Sequence, residues 1–177
     1  MNEFISKMTP AQKFFAGAAL QVLILLAIVA AKVAVLAGGD AVFLKIMPVD
    51  PRSPFRGDYL TFRYEISEVE RTKFALNPVY GVSVYVPLEK SGPYFYQAAY
   101  PVSETPGALK GRLFIKGKIR AISEDKVGLL YGIEQYYIPE NSGGGFEWSK
   151  ESYAEVAVAG NGSAVIKKIY NNDKPFP

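Results

Sequence analysis

The residues that could do chemistry in this chain are few in kind. It has no histidine and no cysteine. That excludes, within the chain, a Ser-His-Asp triad, a thiol nucleophile, a disulfide and a histidine-ligated zinc. Serines, lysines and carboxylates remain. A serine activated by a lysine base needs no histidine, and Ser53 with Lys116 or Lys118 is the pair of that type. Two carboxylates about 5–9.5 Å apart could cleave a glycosidic bond. Glu134 and Glu140 frame the segment Tyr136-Tyr137-Ile138-Pro139, but structural or interface roles are the favoured reading of Glu134, Tyr136 and Glu140. Along one predicted strand Leu113, Ile115, Gly117, Ile119 and Ala121 line one face, and Phe114 with the row Lys116, Lys118 and Arg120, ~7 Å per step, the other. Such a row could bind an anionic headgroup or polyanion; the plainer reading is a solvated face or a charged edge that resists aggregation. No catalytic, cofactor or metal ligand is assigned, and the chain is not expected to be an enzyme.

The chain turns on residues 45–67, KIMPVDPRSPFRGDYLTFRYEIS, whose first half is packed with turn formers. Pro48, Pro51 and Pro54 fix φ and lack an amide donor, which rules out helix or an inner strand here. Gly57 supplies the positive φ a tight turn often needs. Asp50 and Asp58 are expected to pair with Arg52, Arg56 or Arg63 in charge-assisted contacts that lock the turn. A small-ligand or ion site is the alternative. Arg56-Gly57-Asp58 spells an integrin-binding tripeptide, read here as chance. Beyond it Leu60, Phe62, Tyr64 and Ile66 alternate with Tyr59, Thr61, Arg63 and Glu65, the period of a half-buried strand.

The elements that must position these residues divide the chain sharply. Residues 14–37 are apolar except for Gln21 and Lys32. At ~1.5 Å per residue that run spans roughly 36 Å, enough to cross a hydrocarbon core of ~30 Å. Thr9-Pro10 is a helix start and Gly38-Gly39 a stop. An uncleaved transmembrane helix is expected; the small residues Ala30-Ala31 keep a cleaved signal as the alternative. Gln21, near mid-span, is a candidate contact with another helix. Lys7 and Lys13 before the run favour residues 1–13 in the cytoplasm and the rest outside a cell's inner (plasma) membrane. After it come turn-separated alternating segments, predicting strands at 42–47, 58–66, 82–88, 94–102, 112–122, 126–138, 153–159 and 163–170, the last two joined by the hairpin signal Gly160-Asn161-Gly162. Residues 40–170 are thus expected to form an extracytoplasmic antiparallel β-barrel or β-sandwich-like domain, mainly β, with residues 171–177 a flexible tail. The net charge of +3 and scattered basic residues speak against nucleic acid as a partner. The expected partners are the bilayer and other integral membrane proteins.

Two segments carry a family resemblance. Gly57-Asp58-Tyr59-Leu60-Thr61-Phe62-Arg63-Tyr64 resembles the motif of the GDYxxLxY family of bacterial membrane-anchored proteins, with Phe62 where the motif has Leu. Residues 131–140, Tyr-Gly-Ile-Glu-Gln-Tyr-Tyr-Ile-Pro-Glu, look like a second block of that family. The resemblance implies an anchored envelope protein partnered with multi-pass membrane proteins, and it implies no reaction. The expected role is an accessory or assembly subunit of an envelope complex; a lipid- or small-ligand-binding module is the alternative. A fainter likeness, to type I signal peptidases, would make Ser53 a nucleophile. That family has Ser-Met where this chain has Ser53-Pro54, which leaves hydrolysis the least favoured reading.

Overall fold

A computed structural model describes residues 9–47, 59–92, 95–139, 145–147 and 149–176. The first element, α1, runs from Pro10 to Gly38. Its start is capped reciprocally: the Gln12 amide donates to the Thr9 hydroxyl (3.3 Å), and the Thr9 amide to the Gln12 side chain (2.9 Å). Such a box satisfies amide groups that have no partner within the helix. The helix has no buried residue, and its most apolar window has a mean hydropathy of 2.6. It is long and apolar enough to cross a membrane. At its end the Gly39 amide donates to the Val35 carbonyl (2.9 Å). A Cβ on Gly39 would stand 2.6 Å from that oxygen and 3.0 Å from the Val158 nitrogen. Only glycine lets the chain pass here.

Val35 onward forms a compact unit of its own, mainly β. Its strands are β1 (Asp40–Met47), β2 (Tyr59–Thr61), β3 (Arg63–Tyr64), β4 (Glu68–Glu70), β5 (Ser83–Ser91), β6 (Phe95–Ala98), β7 (Phe114–Ile122), β8 (Lys126–Leu130), β9 (Gln135–Tyr137), β10 (Ser152–Val158), β11 (Ala164–Asn171) and β12 (Lys174–Phe176). Among the described residues one curled sheet has the order β12-β11-β10-β1-β6-β5-β7-β8-β4, with β3 also on β1; β2 and β9 form a separate pair. Pairing is antiparallel except where β6 meets β1. Alternation builds the core: Val42, Leu44 and Ile46 from β1, Val84 and Val86 from β5, and Ile115 and Ile119 from β7 are all buried.

The expected pattern failed in specific places. Residues 58–66 were expected as one strand, but between residues 59 and 70 the chain changes partner twice. β2 pairs β9, β3 pairs β1, then residues 65–67 make a 3-10 turn and β4 pairs β8. The Tyr64 amide donates to the Ser67 hydroxyl (3.1 Å), closing that turn. Side-chain alternation nevertheless survives, since Leu60, Phe62, Tyr64 and Ile66 are all buried. Along β7 the register shifts between Ile119 and Ala121, so Ala121, expected inside, is exposed. Phe114, expected outside with the lysines, is buried against Tyr85 with ring centroids 5.6 Å apart. The expected flexible tail holds β12, joined to β11 through Asn172 and Asp173 at φ 52° and 61°. Two successive positive φ values make the tight turn that suits a hairpin.

Candidate interaction site

The two motif segments, some seventy residues apart, are brought together. In register, Leu60 faces Tyr136 and Thr61 faces Gln135 across β2 and β9. Beyond the strands, each segment hydrogen-bonds the other's backbone. The Tyr64 hydroxyl donates to the Ile133 carbonyl at 2.7 Å. The Tyr131 hydroxyl donates to the Ile66 carbonyl. The Phe62 amide donates to the Glu134 carbonyl at 3.1 Å. Gly117 on β7 makes room for one of these bonds: a Cβ there would stand 3.0 Å from the Tyr131 ring. Phe62, in leucine's place in the motif, is buried and meets Tyr64 edge to face at 5.5 Å.

Glu134 organises the β8–β9 loop. Its carboxylate accepts the Tyr131 amide and, at 2.9 Å, the Gly132 amide. Gly132 takes φ 78°, where a side chain would be strained. Burial, with the Glu134 carboxylate as the second cause, pushes the Tyr64 phenol well above its ordinary value; Tyr131 is pushed up likewise, with Tyr100 as a third cause. Both tyrosines are therefore neutral donors at ordinary pH, and both oxygens of Glu134 are engaged. The junction is a structural clasp rather than a set of free reactive groups.

The other singled-out residues fall elsewhere. Asp50, Arg52, Ser53, Arg56, Gly57, Asp58 and Glu140 lie outside the described residues. Tyr59 opens β2 opposite Tyr137. Of the expected turn-locking cations, Arg63 lies 3.9 Å from Glu68, which also accepts Lys126 at 2.8 Å. The Lys126 hydrogen bond and charge hold Glu68 below its ordinary value. Tyr136 is half-buried against the core, and Gln21 is exposed on α1. Lys116, Lys118 and Arg120 line the exposed face of β7. They are without the apolar burial that activates a lysine base. A groove of about 510 Å³ is lined by Arg120, Ala121, Gly128, Arg63, Glu68 and Lys126 among others.

One surface escaped the sequence reading. The loop between Phe74 and Val82 leaves Leu76, Val79 and Tyr80 exposed by 65%, 59% and 64%. It is nonetheless tethered at both ends. The Val102 amide donates to the Lys73 carbonyl (3.2 Å), and the Gly81 amide to the Ile119 carbonyl (2.8 Å). The available signal was three large apolar residues in a segment with no alternation.

A long apolar helix followed at once by a single β-domain is the class of protein these features define. The family model described as GDYXXLXY protein matches residues 21–169, and the chain belongs to that family. No curated protein and no solved structure matches it.

Proposed function

We propose that this protein is an accessory or assembly subunit of a bacterial envelope complex, anchored in the inner membrane by α1 and acting through protein contact rather than catalysis. The observation that carries the reading is α1 itself: 29 residues, none buried, with Gly39 alone between its end and β1. A helix apolar on all sides needs either a protein interior or lipid, and the β-unit fills its own core without it. The exposed Leu76, Val79 and Tyr80, held on a fixed base, supply a contact surface of the mixed aliphatic and aromatic kind that interface centres favour. Gln21 supplies a polar contact for a neighbouring helix. Affinity purification of the full chain in mild detergent tests this. A stoichiometric integral membrane partner is expected, lost when Leu76, Val79 and Tyr80 are all changed to Ser. A chain that purifies alone while active on a substrate would refute it. The groove beside Arg120 favours a second reading, a ligand-binding module, and a retained small molecule at that groove is its signature.

A further inference from the structure

At the end of α1 the β-unit forms a small cleft of about 250 Å³, lined by Asp40, Arg112, Leu113, Phe114 and Gly160 among others. Asp40 opens β1 immediately after Gly39. Arg112 lies just before β7, its amide donating to the Leu109 carbonyl at 3.0 Å. The β10–β11 turn supplies the far wall, fixed by the Gly162 amide on the Ala159 carbonyl and the Lys116 amide on the Gly162 carbonyl. The cleft thus carries one carboxylate and one guanidinium, both exposed. Among the described residues neither has an ion-pair partner, and they are not paired with each other. Arg112 also borders two neighbouring clefts, with Glu89 in one and Lys110 and Glu104 in the other.

Opposite charges that share a cleft without closing on each other suit a ligand that carries both charges. Depth selects which. With α1 across a bilayer, Asp40 lies two residues past the helix end, ~7 Å at extended rise. The headgroup layer on each side is about 5–8 Å thick. A zwitterion present at that depth at very high local concentration is a phospholipid headgroup.

We propose that this cleft holds the head of a zwitterionic phospholipid with a primary ammonium, the ammonium on the Asp40 carboxylate and the phosphodiester on the Arg112 guanidinium. Guanidinium matches phosphate in a two-pronged geometry. A carboxylate accepts hydrogen bonds from a primary ammonium, and a trimethylated one has none to give. Phe114 and Leu113 offer the glycerol end an apolar wall.

The inference rests on the anchoring reading, so the test separates the two. The full chain is purified in mild detergent, mixed with phosphatidylethanolamine, phosphatidylcholine or phosphatidylglycerol, and weighed intact by native mass spectrometry. Phosphatidylethanolamine is expected to be retained over the other two by roughly two- to fivefold, the ratio one exposed charge-assisted contact gives. Asp40→Asn should erase that preference. Arg112→Gln should lose all three lipids, while Lys150→Gln changes nothing. Unchanged melting temperatures establish that each variant is folded. Alkaline carbonate extraction of membranes reads anchoring independently. A chain extracted by carbonate defeats the anchoring reading. A chain that resists extraction yet retains all three lipids alike, or keeps phosphatidylethanolamine after Arg112→Gln, overturns the lipid site alone.

Discussion

Tyr64 and Tyr131 hold the two motif segments by a reciprocal exchange: each phenol crosses to a carbonyl on the other segment. Both are buried, so Tyr64→Phe leaves the Ile133 carbonyl without its donor, at a cost of about 1–3 kcal/mol. Tyr131→Phe should cost a similar amount at Ile66. Because the bonds brace the same junction, the double variant is expected to cost less than the sum of the two, which denaturant titration of the three variants would reveal. Strict additivity would mean that the two bonds do not act as one clasp. The same burial sets a pH limit. Both phenols titrate above the unfolded value of ~10, so in the window between the two the unfolded state binds fewer protons. Stability from this source is full below ~10 and falls as pH rises through the folded values. Melting temperature should therefore drop steeply above pH ~10, and less steeply when both tyrosines are Phe. Equal slopes would place the alkaline weakness elsewhere. This role was only half legible in the sequence. Period-two alternation put Tyr64 on the buried face, but no pattern states where a hydroxyl will find its acceptor.

Elements were legible where side-chain period and turn chemistry coincide, and illegible where the backbone chooses a partner. The alternation of residues 112–122 marks β7, and Gly160-Asn161-Gly162 marks the β10–β11 turn, because both signals are local. The partner changes between β2 and β4 are not local. The buried face stays continuous while hydrogen bonds pass from β9 to β1 to β8. β12 was missed because three residues hold no period, although Asn172-Asp173 is a fitting pair for its turn. Its weight in the fold is measurable. Phe176 is buried and meets Phe146 edge to face at 5.1 Å, so ending the chain after Asp173 should cost about 1.5–3 kcal/mol. An unchanged midpoint would mark β12 as decoration. Gly162 makes a sharper case. It stands at φ 82°, and a Cβ there would lie 2.9 Å from the Lys116 nitrogen and 3.0 Å from the Phe114 ring. Gly162→Ala should cost at least about 1–2 kcal/mol. Gly160→Ala, two residues away with nothing within 4 Å, should stay within about 0.5 kcal/mol. Equal effects at the two glycines would show that the turn, rather than its contact with β7, is the sensitive feature.

At the scale of the whole molecule, composition says more about location than about partners. The helix was legible because two dozen nearly unbroken apolar residues have few other uses, and its capped start and glycine end fell where expected. What it meets was not legible, since contact surfaces such as Leu76, Val79 and Tyr80 have no period and no motif. Orientation rests on a slight excess of charge. Lys7 and Lys13 precede the span, opposed by Glu3, while Lys32 lies near its far end and Lys45 beyond it, with Asp40 between. Basic residues flanking a span are retained in the cytoplasm. The β-unit should therefore lie outside, with Asp40 near the outer headgroups. The excess is small, so the expectation is exposed to a direct test. Protease added to intact spheroplasts should digest the β-unit and leave an N-terminal tag protected. Changing Lys7 and Lys13 to Glu should raise the fraction of chains with the β-unit inside. Full protection of the wild-type β-unit would reverse the orientation. A mature N-terminus near Lys32 would replace the anchor with a cleaved signal. The proposed membrane contacts of Gln21, Asp40 and Arg112 would then have no bilayer to act in.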